Sequence, residues 1–339
     1  MDAAQLIDDR AITVRSARAV AGKRETLIKY LWGSPGFPRR RQPDLVLTNV
    51  PSPVKQLTNL ARVDELRMEL APGLQGLAYH FVPTQPNREL VVVHHGHGCT
   101  FDDDPSPADV GYGLQRTTKA LLGEGYGVLA VFMPHMRPGD CTGGHDAMFQ
   151  TATTGSPIRL FLESTAIGLN HLKSGSPAGR FPKYRRFHMT GLSGGGWTTT
   201  LYAAIDPTIR CSVPVAGTIP LYLRTKGSVG DREQYESTFY SLAGYPDLYI
   251  LGSQGRGRKQ VQLLVRRDDC CFGEAQHDAA ASGMGYEDAL RDYERRVQEA
   301  LQATGRGSFR LEIDETAPGH MISHHAIRDV LLPALRPVR

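Results

Sequence analysis

Apolar residues along the chain fall into short runs separated by longer stretches with helical spacing. Residues 89–94, Glu-Leu-Val-Val-Val-His, and residues 127–133 are almost continuously apolar, as strands buried on both faces of a central sheet are. Residues 63–70 and 76–82 read as two further strands, joined by the turn-forming Ala71-Pro72-Gly73. More strands are expected at 186–190, 209–215, 261–265 and 309–313. Between them, 113–122, 158–172, 197–205, 286–303 and 327–335 carry helical periodicity, clearest in 286–303. This alternation predicts the α/β class, with a doubly wound, mostly parallel sheet.

Residues 25–32 read as a helix and lead into a Pro- and Arg-rich connection through Pro43. Residues 1–60 are therefore expected to form an N-terminal helical extension to a main domain spanning 61–339. Two stretches break the alternation. Residues 134–157 are rich in Gly, Thr and Pro, and residues 218–259 carry scattered aromatics with little periodicity. Loops longer than about 15 residues are commonly functional. Both follow strand ends on the ligand-binding face of such sheets, so both are expected to be cap or lid insertions over a pocket.

Composition narrows the function classes. The 39 Lys and Arg against 35 Asp and Glu give a net charge of +4, scattered rather than striped. The densest run, Arg39-Arg40-Arg41, lies between prolines and reads as a solvated loop. A nucleic-acid partner would require a concentrated basic face. No stretch reaches the roughly 18 apolar residues of a membrane span. The first residues are acidic and lack the form of a secretory signal, so a cytoplasmic protein is expected, although a chain stripped of such a signal would read the same. Five cysteines do not make a disulfide scaffold at this length. Cys270 and Cys271 read as buried free thiols, while Cys99 and Cys141 follow neighbouring strands and admit a bridge.

The chemistry concentrates in four places. Gly191-Leu192-Ser193-Gly194-Gly195 is a G-x-S-x-G sequence that follows a predicted strand and opens a predicted helix, the setting that holds a nucleophilic serine on a sharp turn. A serine hydroxyl needs a base to take its proton. His320, in the loop between the last strand and the last helix, fits that role, with His324 and His325 as alternatives. An acid to orient the base belongs just past a late strand; Asp268 is the choice there and Asp269 the fallback. His94-His95-Gly96-His97-Gly98 follows an early buried strand, where the N–H of His97, with that of Gly194, would bind a tetrahedral oxyanion. Trp197 reads as core. Arg137 and His145 read as solvated loop residues, with a polar or acidic substrate as the alternative reading for them.

Taken in order, strand–HGxG, strand–GxSxG, strand–Asp and strand–His resemble the α/β-hydrolase superfamily over roughly residues 60–339. The resemblance is to bacterial esterase-like members, including acetyl-ester deacylases. It implies an α/β-hydrolase fold and a serine hydrolase cleaving a carboxylic ester of a small molecule or carbohydrate through an acyl-enzyme, without cofactor or metal. Two features depart from the pattern: HGHG replaces HGGG, and Asp-Asp-Cys-Cys-Phe is not general in that superfamily. A serine peptidase, amidase or acyltransferase would share the same chemistry. A metal-dependent hydrolase built on His94, His95 and His97 with Asp102, Asp103 and Asp104 is a rival from another class, and a non-catalytic binding protein on the same fold is a third.

Overall fold

The computed structural model describes residues 6–101, 112–150, 153–175, 181–225 and 229–336. Helix α1 (Ala17–Trp32) is capped by Ser16, whose hydroxyl accepts the Ala19 N–H at 3.1 Å. Strands β1 (Leu45–Leu47), β2 (Leu60–Ala71), β3 (Leu74–Pro83) and β4 (Glu89–His94) precede α2 (Leu114–Gly123) and β5 (Gly127–Val131). A small hairpin, β6 (Met136–Arg137) and β7 (Asp140–Cys141), leads to α3 (His145–Met148) and α4 (Arg159–Ser174). Then come β8 (Arg186–Leu192), α5 (Gly194–Ile205), β9 (Ile209–Val215), α6 (Ser237–Leu242), α7 (Tyr245–Ser253) and β10 (Lys259–Val265). The chain ends with α8 (Ala279–Ser282), α9 (Tyr286–Thr304), β11 (Ser308–Asp314) and, after a π-helical turn at Ala326–Leu331, α10 (Leu332–Leu335).

Nine of these strands make one sheet in the order β1-β2-β3-β5-β4-β8-β9-β10-β11. The β1, β2, β3 and β5 neighbours pair antiparallel, and from β5 through β11 all pairs are parallel. From β4 the chain moves outward to β5, then crosses to β8 on the other side of β4. The carboxyl ends of β4 and β8 are therefore the topological switch point, where open α/β sheets bind ligands.

The nearly unbroken apolar runs have the expected cause. Leu90 and Val92 of β4 enter one core, beneath α1, α4, α5, α7 and α9, while Val91 and Val93 enter the other, beneath α2 and the C-terminal helical segment. Only the later part of the second insertion departs from the reading as a cap or lid. All of α7 is buried, packed against α5 and α9. Its segment, YPDLYILGS, lacks a one-sided pattern because it is enclosed all round. The last helix also differs, because Pro333 has no N–H for the α-helical ladder and a wider turn precedes it.

The N-terminal segment is fastened to the same core. Asp247 of α7 is 1% exposed and accepts the N–H groups of Thr13 and Val14 at 2.8 and 3.0 Å, with the Thr13 hydroxyl on its other oxygen. Asp9 in turn accepts the N–H groups of Tyr222 and Tyr245 at 3.2 and 3.0 Å. Asp247→Ala would leave these buried donors unpaired. It is expected to lower unfolding free energy by about 2–4 kcal/mol, measured by urea denaturation against the parent chain.

Candidate active site

Ser193 stands between β8 and α5 at φ 59°, ψ −125°, a left-handed conformation that costs a non-glycine residue about 1–3 kcal/mol and is held only by its surroundings. Those surroundings are tight. The Ser193 N–H donates to Val215 O at 3.0 Å, and the Trp197 N–H donates to Ser193 O at 2.9 Å. A Cβ on Gly195 would lie 2.2 Å from His94 O, and one on Gly191 would lie 2.6 Å from Gly195 O. Only glycine lets this turn press against the end of β4. Gly194 opens α5, so its N–H is among those with no acceptor inside the helix. Beyond β4, the loop closes through the Gly98 N–H on His95 O at 3.0 Å. It brings the His97 ring against Gly194, where an added Cβ would be 3.1 Å from His97 Cε1.

Asp268 follows β10 and is 1% exposed. Its Oδ1 accepts the N–H groups of Cys270 and Cys271 at 2.8 and 2.7 Å, and its Oδ2 meets His320 Nδ1 at 2.7 Å. A carboxylate can only accept, so Nδ1 carries the proton and the neutral ring presents Nε2 as the basic atom. Burial pushes the His320 pKa down, but the hydrogen bond and charge of Asp268 outweigh it and the net shift is upward. The other candidates are elsewhere. Asp269 and His324 are exposed, and His325 pairs with Asp329 at 3.0 Å.

The loop that carries His320 is shaped by Asp314, a residue the sequence reading passed over. Fully buried at the end of β11, it accepts the Thr316 and Ala317 N–H groups at 2.8 and 3.1 Å and the Thr316 hydroxyl at 2.7 Å, while Ser323 donates to its other oxygen. Asp-Glu-Thr at a strand end is an Asx-turn pattern, and that signal was present in the sequence.

The structure does not join every expected partner. Ser193 Oγ makes no hydrogen bond to His320; it faces Cys271 Sγ at 3.7 Å. Cys270 is exposed rather than buried, and its sulfur lies 3.2 Å from that of Cys271, hydrogen-bonded without a disulfide. The thiol hydrogen bond from Cys271 draws the Cys270 pKa down to about 6, and Cys271 shifts upward. His94 and His95 are wholly buried, and burial pushes both to about 3. The His95 ring packs between Phe101 and Phe132, with centroids at 4.5 and 4.4 Å. His94, His95 and His97 therefore form no ligand set among the described residues, and Asp102, Asp103 and Asp104 lie outside those residues.

His97 instead meets Asp231 at 3.2 Å, and His145, buried rather than solvated, meets Glu233 at 3.1 Å. Asp231 and Glu233 sit in an aperiodic stretch that offered no sequence signal for them. Cys99 and Cys141 form a disulfide with Cα atoms 5.7 Å apart. Disulfides persist in oxidising compartments, which sets this bridge against a cytoplasmic expectation. No helix among the described residues is long and apolar enough to cross a membrane.

A serine on a strand–turn–helix at the switch point, with a buried Asp–His pair beyond the later strands, defines the α/β-hydrolase fold. Solved structures agree on that fold. A glucuronoyl esterase from Solibacter usitatus superposes with a TM-score of 0.56 at 13% identity, over 98% of this chain and 99% of that one. Acetyl xylan esterase 1 from a Thermoanaerobacterium species gives 0.51 at 12% identity, over 95% and 94%. An acylaminoacyl peptidase from Pyrococcus horikoshii gives 0.50 at 14% identity, over 81% of this chain, which spans only 39% of the peptidase. No protein-family model matches the sequence, and no curated protein does.

The Asp268–His320 contact has a direct test. Histidine NMR titration is expected to place His320 above the ordinary value of about 6.5. In Asp268→Asn the supporting charge is gone and burial remains, so the value should fall below that of the parent.

Proposed function

We propose that the protein is a serine esterase in which Ser193 attacks the acyl carbonyl of a carboxylic ester. His320 Nε2 takes the hydroxyl proton, and Asp268 holds the ring and stabilises the imidazolium. The N–H groups of His97 and Gly194 bind the oxyanion as the carbonyl becomes tetrahedral. His320 then protonates the departing alcohol and activates the water that releases the acid from Ser193. The Ser193 hydroxyl must rotate from Cys271 toward His320 to start this cycle, and catalytic hydrogen bonds often close only when substrate arrives.

The observation that carries the reading is the Asp268 carboxylate, shared between two backbone N–H groups and His320 Nδ1 at 2.7 Å. That arrangement orients a base at the carboxyl end of the sheet, the same end as the strained Ser193. A substrate class is supported by the neighbouring cavity of about 410 Å³, lined in part by His97, His145, Asp231, Arg232 and Tyr235. Such a lining suits a polar alcohol portion, as in an acylated carbohydrate, better than a long hydrocarbon.

The test is a panel of p-nitrophenyl esters of increasing chain length, with acetylated sugars and anilides alongside. Short esters and acetylated sugars are expected to turn over, and Ser193→Ala to lower kcat by about 10⁴-fold or more. The kcat/KM profile should lose activity as pH falls through the His320 pKa, with its midpoint above about 6.5. Turnover in Ser193→Ala equal to the parent, or a flat profile down to pH 4, would remove this mechanism. Faster cleavage of anilides than of esters would favour a peptidase.

A further inference from the structure

Four potential ligands converge beside the oxyanion loop from three separate segments. His97 follows β4, His145 opens α3 in the first insertion, and Asp231 and Glu233 lie in the second. One ligand atom from each lies within 4.8 Å of all the others. The His97–Asp231 and His145–Glu233 contacts, at 3.2 and 3.1 Å, are already near the donor spacing of about 3.3–3.6 Å that follows from zinc bonds of about 2.0–2.2 Å in a tetrahedron.

One further observation points to a cation, and a second shows how His145 is oriented to ligate one. Glu233 is fully buried, yet its Oε2 has no hydrogen-bond partner. A buried carboxylate oxygen without a donor is costly, and a cation would satisfy it. His145 is also held from behind. Its Nε2 lies 3.3 Å from Pro134 O, which leaves Nδ1 turned toward Glu233. A backbone carbonyl on the far nitrogen is the support that orients a metal-bound imidazole.

We propose that His97, His145, Asp231 and Glu233 form a binding site for a first-row divalent cation, zinc by preference. Two neutral imidazoles and two carboxylates match the charge of such an ion and the ligand types that zinc takes. The site borders the cavity of about 410 Å³, which gives an ion a path in from solvent. Its role is to fasten both insertions to the loop that supplies the His97 N–H. The Cys99–Cys141 disulfide ties the same loop to the first insertion. A second grouping, Cys270, Cys271 and His320, also lies within 4.8 Å. That grouping belongs to the site already described, where His320 Nε2 is the base of the proposed mechanism and Cys270 is exposed.

The test is isothermal titration of zinc chloride into the tag-free full chain after chelator treatment, paired with thermal unfolding. The expected result is one zinc per chain and a higher Tm with zinc. His145→Gln and Glu233→Gln should each weaken binding by about 10-fold or more, while the Cys270→Ser/Cys271→Ser variant keeps the parent affinity. Asp231→Asn changes a half-exposed position; it should weaken binding equally and covers the case in which the Glu233 variant fails to fold. No zinc uptake, or a loss confined to the cysteine variant, overturns the proposal. So does undiminished affinity in Asp231→Asn. None of these readouts uses ester turnover, so failure here would leave the reading of Ser193 standing.

Discussion

The carbonyl oxygen of His94 lies so close to Gly195 that no side chain fits between them, and the arrangement of the site follows from that contact. It presses the turn after β8 onto the end of β4. Ser193 is thereby forced into a left-handed conformation, and the loop after β4 is laid alongside the start of α5. One steric constraint thus brings together the Ser193 hydroxyl, the N–H at Gly194 and the His97 loop. A bulkier residue at Gly195 would have to move either β4 or α5, both enclosed by the two cores of the sheet. Close-packed interiors resist such shifts.

The charged part of the site obeys a different requirement. Asp268 is buried, and a buried carboxylate must be satisfied on both oxygens. Two N–H groups take one oxygen and His320 takes the other. Because those N–H groups belong to Cys270 and Cys271, the chain must fold back over the acid. That fold carries the Cys271 sulfur to within 3.7 Å of Ser193 Oγ. The adjacent cysteines thus have a backbone role that any residue except proline could fill.

These two requirements explain what was legible in the sequence. The strands, the elbow and the Asp268 and His320 positions rest on local features: apolar runs, glycines at fixed offsets, and polar residues just past strand ends. Each leaves a mark within a few residues. The α7 segment left none, because a helix buried on every side has no polar face to give it a period. Asp314 left a short Asx-type mark, but its Ser323 partner lies nine residues away. Asp231 and Glu233 were unreadable, since their meaning depends on His97 and His145, which lie 86 or more residues earlier in the chain. Pairings set only by tertiary closure carry no local signature.

His97 is the residue on which the local and the long-range parts of the design meet. Its backbone belongs to the loop that the β4–β8 contact positions, and its side chain belongs to the cluster that the two insertions close. In the proposed mechanism this loop binds the oxyanion, and rigidity there would matter because preorganised donors stabilise developing charge without reorganising during the reaction. A short loop that ends in the Cys99–Cys141 link and turns its imidazole toward two carboxylates has few ways to relax. The insertions therefore do more than line a cavity. They restrain, from outside the sheet, a loop whose backbone geometry the sheet alone fixes on only one side.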